Sequence, residues 1–227
     1  MSLLDKRAVM RGLAIRQMME LAGWHMLELF QELGFDQPQR VVVCAGKGNK
    51  GGDGLAAARH LANHGHTIFV ALATSRAELK PDPAHHLHLL DEMGIPIMQY
   101  EKDPDRVKRE VAKADVVIDA LIGYRLDGAP RGVFADLIKL LQRHPRVVSY
   151  DIPSGLDAST GEAYEPCVSA SATLTLALPK RAFQTKSGAE KSGTLYVADL
   201  GIPAEVYDTV KKGSRPDFKG RLVGVRE

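Results

Sequence analysis

The sequence predicts a Rossmann-like α/β fold: a three-layer α/β/α sandwich around a mostly parallel central sheet. Three observations carry this. Short runs of β-branched residues alternate with amphipathic stretches over most of the 227 residues, the pattern of parallel strands joined by crossover helices. A glycine-rich turn joins the first such strand to a helix. Two later strands each end in an aspartate.

Taken in order, residues 4–33 read as helix in two pieces with a break near Gly12. In the second piece Met18, Leu21, Ala22, His25, Leu29 and Leu33 recur at three- and four-residue steps, which marks one buried face. Residues 40–45 form a strand apolar enough to be covered on both faces. A helix follows over 53–64, stopped by Gly65. Strands over 67–73, 95–99, 115–120, 147–152, 172–178 and 193–199 are separated by helices over 83–93, 103–113 and 132–142, and a helix over 203–210 closes the pattern. No repeat, linker or low-complexity segment interrupts the chain, so residues 1–227 are read as one domain.

Composition is that of an ordinary globular protein, with 44% hydrophobic and 26% charged residues. A net charge of +2 gives no ground for a nucleic-acid partner. The basic residues Lys211, Lys212, Arg215, Lys219 and Arg221 read as a solvated tail over 211–227. Cys44 and Cys167 form neither a disulfide framework nor a metal motif. No secretory signal is visible, and no apolar run approaches ~18 residues. A cytoplasmic protein with no membrane contact is expected, and a homodimer stays open. Trp24 is expected in the core, and His85, His86 and His88 on a solvated helix face.

The turn Gly46-Lys47-Gly48-Asn49-Lys50-Gly51-Gly52-Asp53-Gly54 satisfies GxGxxG after a strand and before a helix, the context that makes this spacing meaningful. Glycines let the backbone approach a ligand, and the helix N-terminus offers free N–H groups to a phosphate. An NADP-dependent dehydrogenase is one alternative, with Arg76 placed for a 2′-phosphate. That fingerprint has no equivalent of Asp53 within the turn, however, and the second strand ends without the expected acid. Asp119 and Asp151 end two further strands, followed by the polar loops 120–132 and 152–157. Ligands in open α/β sheets sit at such carboxyl ends, so the three loops are expected to meet in one crevice.

The motifs Asn49-Lys50-Gly51-Gly52-Asp53-Gly54, Asp119-Ala120-Leu121-Ile122-Gly123 and Asp151-Ile152-Pro153-Ser154-Gly155-Leu156-Asp157, in this order, resemble the YjeF N-terminal domain family. Its enzymes are NAD(P)H-hydrate epimerases, isomerases that interconvert the R and S forms of hydrated NAD(P)H in nicotinamide-nucleotide repair. The resemblance implies substrate binding by Asn49, Lys50, Gly51, Gly52 and Asp53, by Gly123, Tyr124, Arg125, Leu126, Asp127, Gly128 and Ala129, and by Asp151. It implies a potassium ion held by Asp119, Ser154 and the side chain at position 50. It also implies a separate ATP- or ADP-dependent NAD(P)H-hydrate dehydratase as functional partner. A non-catalytic module of the same fold, used as a binding scaffold, is the other alternative.

The chain departs from the family at two positions, with Lys50 and Leu21 where asparagine is usual. A lysine ammonium is itself a compact monovalent cation and could take the ion's place. A second cation ~4 Å away would meet a repulsion of about 4 kcal/mol at an effective dielectric near 20.

The substrate so implied carries a hydroxyl on C6 beside the ring nitrogen. Its loss, pushed by that nitrogen, leaves an iminium-like cation to which water returns on either face. Such a site needs a general acid, the same group as base, and negative charge. Asp151 is the first candidate for these roles and Asp53 the second.

Overall fold

The computed structural model describes residues 2–210, 212–218 and 223–225. Of the expected basic tail, Lys211, Lys219 and Arg221 lie outside these residues. Two helices open the chain, α1 (Ser2–Met10) and α2 (Ile15–Glu32). They part at Gly12, whose φ of 95° is a conformation glycine adopts without a Cβ penalty. The first βα units follow as β1 (Arg40–Ala45), α3 (Asn49–Asn63), β2 (Thr67–Leu72), α4 (Pro81–Glu92), β3 (Ile97–Gln99) and α5 (Pro104–Lys113). Next come β4 (Val116–Ala120), α6 (Gly132–Leu141), β5 (Val147–Tyr150) and β6 (Ala172–Leu176). Then α7 (Lys186–Ser192), β7 (Thr194–Ala198), α8 (Ala204–Asp208) and β8 (Val223–Val225) complete the described elements. Sequence periodicity did not predict α7 or β8, both of which are short.

The sheet order is β3-β2-β1-β4-β5-β6-β7-β8, parallel throughout except for β8, which pairs antiparallel with β7. The chain winds outward from β1 to β3, then returns to place β4 on the other side of β1. Loops after β1 and β4 therefore leave in opposite directions and open a crevice between them.

Alternation along β1 shows both faces covered. Val41, Val43 and Ala45 join the core beneath α2 and α3. Val42 and Cys44 join a second core with Val107 and Val111 of α5 and with Leu137, Ile138 and Leu141 of α6. No helix among the described residues is long and apolar enough to cross a membrane.

Four sequence expectations are corrected. Helix α3 begins at Asn49, not 53, so Gly51, Gly52 and Gly54 lie inside it. A Cβ on Gly51 would collide with the Gly46 carbonyl oxygen. On Gly52 and Gly54 it would come within 2.7 Å of Met19 Sδ and 2.5 Å of Ala120 Cβ, respectively. The glycines let the helix pack against its neighbours, which offsets their helix penalty of roughly 1 kcal/mol each. Strand β5 ends at Tyr150, because Asp151 adopts φ 58° and breaks the extended backbone. Trp24 is 42% exposed, set edge-on against His60 and His64 and donating to Glu28 from its indole N–H. His86 is buried rather than solvated, and burial pushes its pKa down to about 4.

Candidate functional site

A cavity of about 1070 Å³ opens at the carboxyl ends of the central strands, just above the ~300–1,000 Å³ usual for ligand sites. Lys47, Gly48, Asn49, Lys50 and Asp53 border it after β1, Leu121 to Arg131 after β4, Asp151 after β5 and Leu176 at the end of β6. Helix α1 closes one side with Asp5, Lys6, Val9 and Met10. Its Asp5 carboxylate accepts from the Tyr124 hydroxyl at 3.1 Å, tying the N-terminal helix to the loop after β4. Lys6, Lys47, Lys80, Arg125 and Arg131 all border the cavity, a cationic setting suited to phosphates.

Three loops converge here, as the strand-end pattern predicts. Asn49, Lys50, Asp53, Gly123, Tyr124, Arg125, Leu126, Asp127, Gly128, Ala129 and Asp151 all line the space. Gly51 and Gly52 do not; they pack against Gly46 and Met19. Arg76 is engaged elsewhere, in a two-point pair with Asp91 at 2.5 and 2.9 Å. Leu21 packs with the core and approaches Gly201 instead of lining the cavity.

Asp119 is wholly buried and thoroughly bonded. Its Oδ1 accepts from the Leu121 N–H and the Ser154 hydroxyl, and its Oδ2 from the Ser149 hydroxyl, the Ser154 N–H and the Lys50 ammonium. Lys50 reaches it from the first turn of α3, passing Gly123, where a Cβ would sit 3.6 Å from the lysine stem. Its ammonium donates at 3.1 Å to Asp119 Oδ2, 3.0 Å to the Ile122 carbonyl, 2.8 Å to the Ile152 carbonyl and 2.9 Å to Ser154 Oγ. Burial lowers the Lys50 pKa, and the Asp119 carboxylate opposes that fall.

Asp151 belongs to a second buried ion pair, with Lys180. Lys180 also donates to Thr175 Oγ1 at 2.9 Å and to the carbonyls of Leu176 and Leu178 at 3.1 and 3.0 Å. Between those carbonyls lies Ala177, with φ 60°. Two non-glycine residues in the left-handed region at adjoining strand ends are the kind of strain that surrounding contacts must hold in place. Asp151 Oδ1 also accepts from the Leu176 N–H at 3.2 Å, and Oδ2 has no hydrogen-bond partner among the described residues.

Asp53 differs from both of these carboxyls. It is buried, borders the cavity and has no hydrogen-bond partner among the described residues. Burial raises its pKa well above the ordinary carboxylate range, and the negative charges of Asp151 and Asp5 raise it further. Burial also raises the pKa of Asp5, against the lowering effect of its bond from Tyr124. A carboxyl whose pKa burial raises, beside one held in an ion pair, is an arrangement in which two like groups can play acid and anion.

Sequence reasoning did not single out Lys180 or Asp5. Lys180 follows β6 in Leu178-Pro179-Lys180, where only the fold brings it to Asp151. Asp5 sits in a helix whose pattern says nothing of the loop it meets.

The family model described as YjeF-related protein N-terminus matches residues 15–182, which hold all three loops. The chain belongs to this family. It is 40% identical over 226 residues to a protein of Dehalogenimonas lykanthroporepellens named NAD(P)H-hydrate epimerase, covering 97% of this chain and 88% of that one. It is 36% identical over 197 residues to the bifunctional NAD(P)H-hydrate repair enzyme Nnr of Moorella thermoacetica, covering 85% of this chain but only 37% of the longer enzyme. The crystal structure of the yeast protein ynu0 (YNL200c) superposes with a TM-score of 0.83 at 25% identity, covering 98% of this chain and 96% of that one.

Proposed function

We propose that this protein is an NAD(P)H-hydrate epimerase, an isomerase that interconverts the R and S forms of hydrated NADH and NADPH. The observation that carries the chemistry is the trio Asp5, Asp53 and Asp151 around one cavity, with Asp53 buried without a hydrogen-bond partner among the described residues, its pKa raised by that burial, and Asp151 paired with Lys180. The relatives' names supply the substrate class.

The cationic residues bordering the cavity hold the nucleotide's phosphates, and the dihydronicotinamide lies over the strand ends. Asp53 donates a proton to the C6 hydroxyl, which leaves as water as the ring nitrogen's electron pair forms the C=N bond. The negative charge of Asp151, through the Oδ2 that the protein leaves free, steadies the resulting iminium cation. Water adds to C6 from either face, the C=N electrons return to nitrogen, and the Asp53 carboxylate takes the released proton. Atoms and charge balance, and the acid is restored. This exchanges the order of the two candidates: the ion pair with Lys180 suits Asp151 to the anionic role, and Asp53 becomes the general acid.

The epimerase then works with an ATP- or ADP-dependent dehydratase that consumes one epimer, in keeping with the bifunctional name of longer relatives. A cytoplasmic location is in keeping with that soluble nucleotide substrate. The experiment is to prepare mixed R and S hydrate of NADPH, add a dehydratase, and follow clearance of the slow epimer. Added protein should turn slow clearance into a single fast phase. A biphasic course unchanged by this protein would refute the reading, and consumption of intact NADPH would point to an oxidoreductase.

A further inference from the structure

We propose that the Lys50 ammonium is the resident cation of the buried oxygen cage formed by Asp119, Ser154 and the carbonyls of Ile122 and Ile152, so that no potassium ion is held there. The family resemblance implies an ion at this place, and this chain's own donor set does not accommodate one.

The oxygens are arranged as for a cation, with four of them 2.8–3.1 Å from one nitrogen. Two are backbone carbonyls and one a carboxylate, groups that can only accept. The fourth, Ser154 Oγ, uses its own proton on Asp119 Oδ1 at 2.6 Å, so it too accepts from Lys50. Four acceptors face Nζ, so all three N–H bonds of an ammonium are used with one of them shared, whereas a neutral amine offers only two.

The same oxygens would be the ligands of a metal ion, and their lone pairs already point at Nζ. An ion in the cage would displace the ammonium, yet Lys50 is 6% exposed and its stem is confined beside Gly123. The result is a cation that is covalently attached and cannot be diluted away. The loop after β4 and the loop after β5 are then joined through Lys50 whatever the potassium concentration.

The test does not depend on the epimerase reading, because it reads stability and ion density. Melting temperature is measured for wild type and Lys50→Asn with potassium chloride replaced stepwise by N-methylglucamine chloride at constant ionic strength. Wild type should melt at one temperature throughout. Lys50→Asn should melt lower without potassium and regain at least about 2 °C as it is added, by ligand linkage. Thallium-soaked crystals of wild type should show no anomalous density between Asp119 and Ser154. A wild type stabilised by potassium, thallium in its cage, or a folded Lys50→Asn indifferent to potassium would each overturn the proposal. If Lys50→Asn does not fold, the wild-type melting series and thallium experiment still decide. An inactive protein with potassium-independent melting would sink the epimerase reading and leave this one standing.

Discussion

The Lys180 ammonium pairs with Asp151 Oδ1, and the same oxygen accepts from the Leu176 N–H, so Oδ2 alone is left for a ligand. A lysine after β6 thus sets the orientation of a carboxylate after β5, across one strand boundary. Lys180→Met should lower kcat more than it raises KM, since it disturbs the charge that meets the cation and not the phosphate contacts. Equal loss in Lys180→Met and Lys180→Arg would say that charge alone is not what counts.

Asp151→Asn keeps the side chain's shape and is compatible with the left-handed backbone, which asparagine adopts readily. It should fold, melt lower because Lys180 loses its counter-ion, and lose roughly 10²-fold or more in epimerisation, the scale of electrostatic and proton-transfer contributions. A rate within about threefold of wild type would dismiss Asp151 from the reaction.

Asp53→Asn removes the proposed acid, with a loss of about 10²–10⁴-fold. Its stability should change in the opposite sense to that of Asp151→Asn. The folded-state pKa of Asp53 is raised, so the folded protein binds this proton more tightly than the unfolded chain. The stabilisation is full below the ordinary carboxylate range and is lost as pH rises towards the elevated folded value. Melting temperature against pH should therefore fall less steeply for Asp53→Asn than for wild type across that window. Parallel curves would mean that Asp53 ionises normally.

Tyr124→Phe cuts the bond that links α1 to the loop after β4. Substrate KM should rise several-fold with kcat little changed, and amide exchange in residues 2–10 should quicken. Unaltered KM and exchange would show that α1 holds its place without this bond.

Gly54→Ala tests the packing glycines. The added Cβ would lie 2.5 Å from Ala120 Cβ and 3.2 Å from Val43 Cγ1, both on the central strands. Overpacking of this kind costs about 1–3 kcal/mol, and chemical denaturation would measure it. A cost under about 0.5 kcal/mol would mean that α3 can lift off the sheet freely.

The Rossmann-like layers, the alternation of strands with helices and the convergence of three loops could all be read from residue patterns. Alternation of β-branched runs with amphipathic helices is local information, and strand ends bearing aspartate are its direct consequence. Asp119, Asp151 and the 49–54 motif are therefore legible from the residues alone as groups brought together at the strand ends. What each group does there depends on distances across the sheet. Lys180 reaches Asp151 only because β6 lies beside β5, and Asp5 reaches Tyr124 only because α1 folds back over the cavity. Burial of His86 and exposure of Trp24 likewise reflect which neighbour covers each helix face. The same is true of the acid: Asp53 and Asp151 are alike as residues, and only packing, which buries both but supplies an ammonium to Asp151, tells them apart.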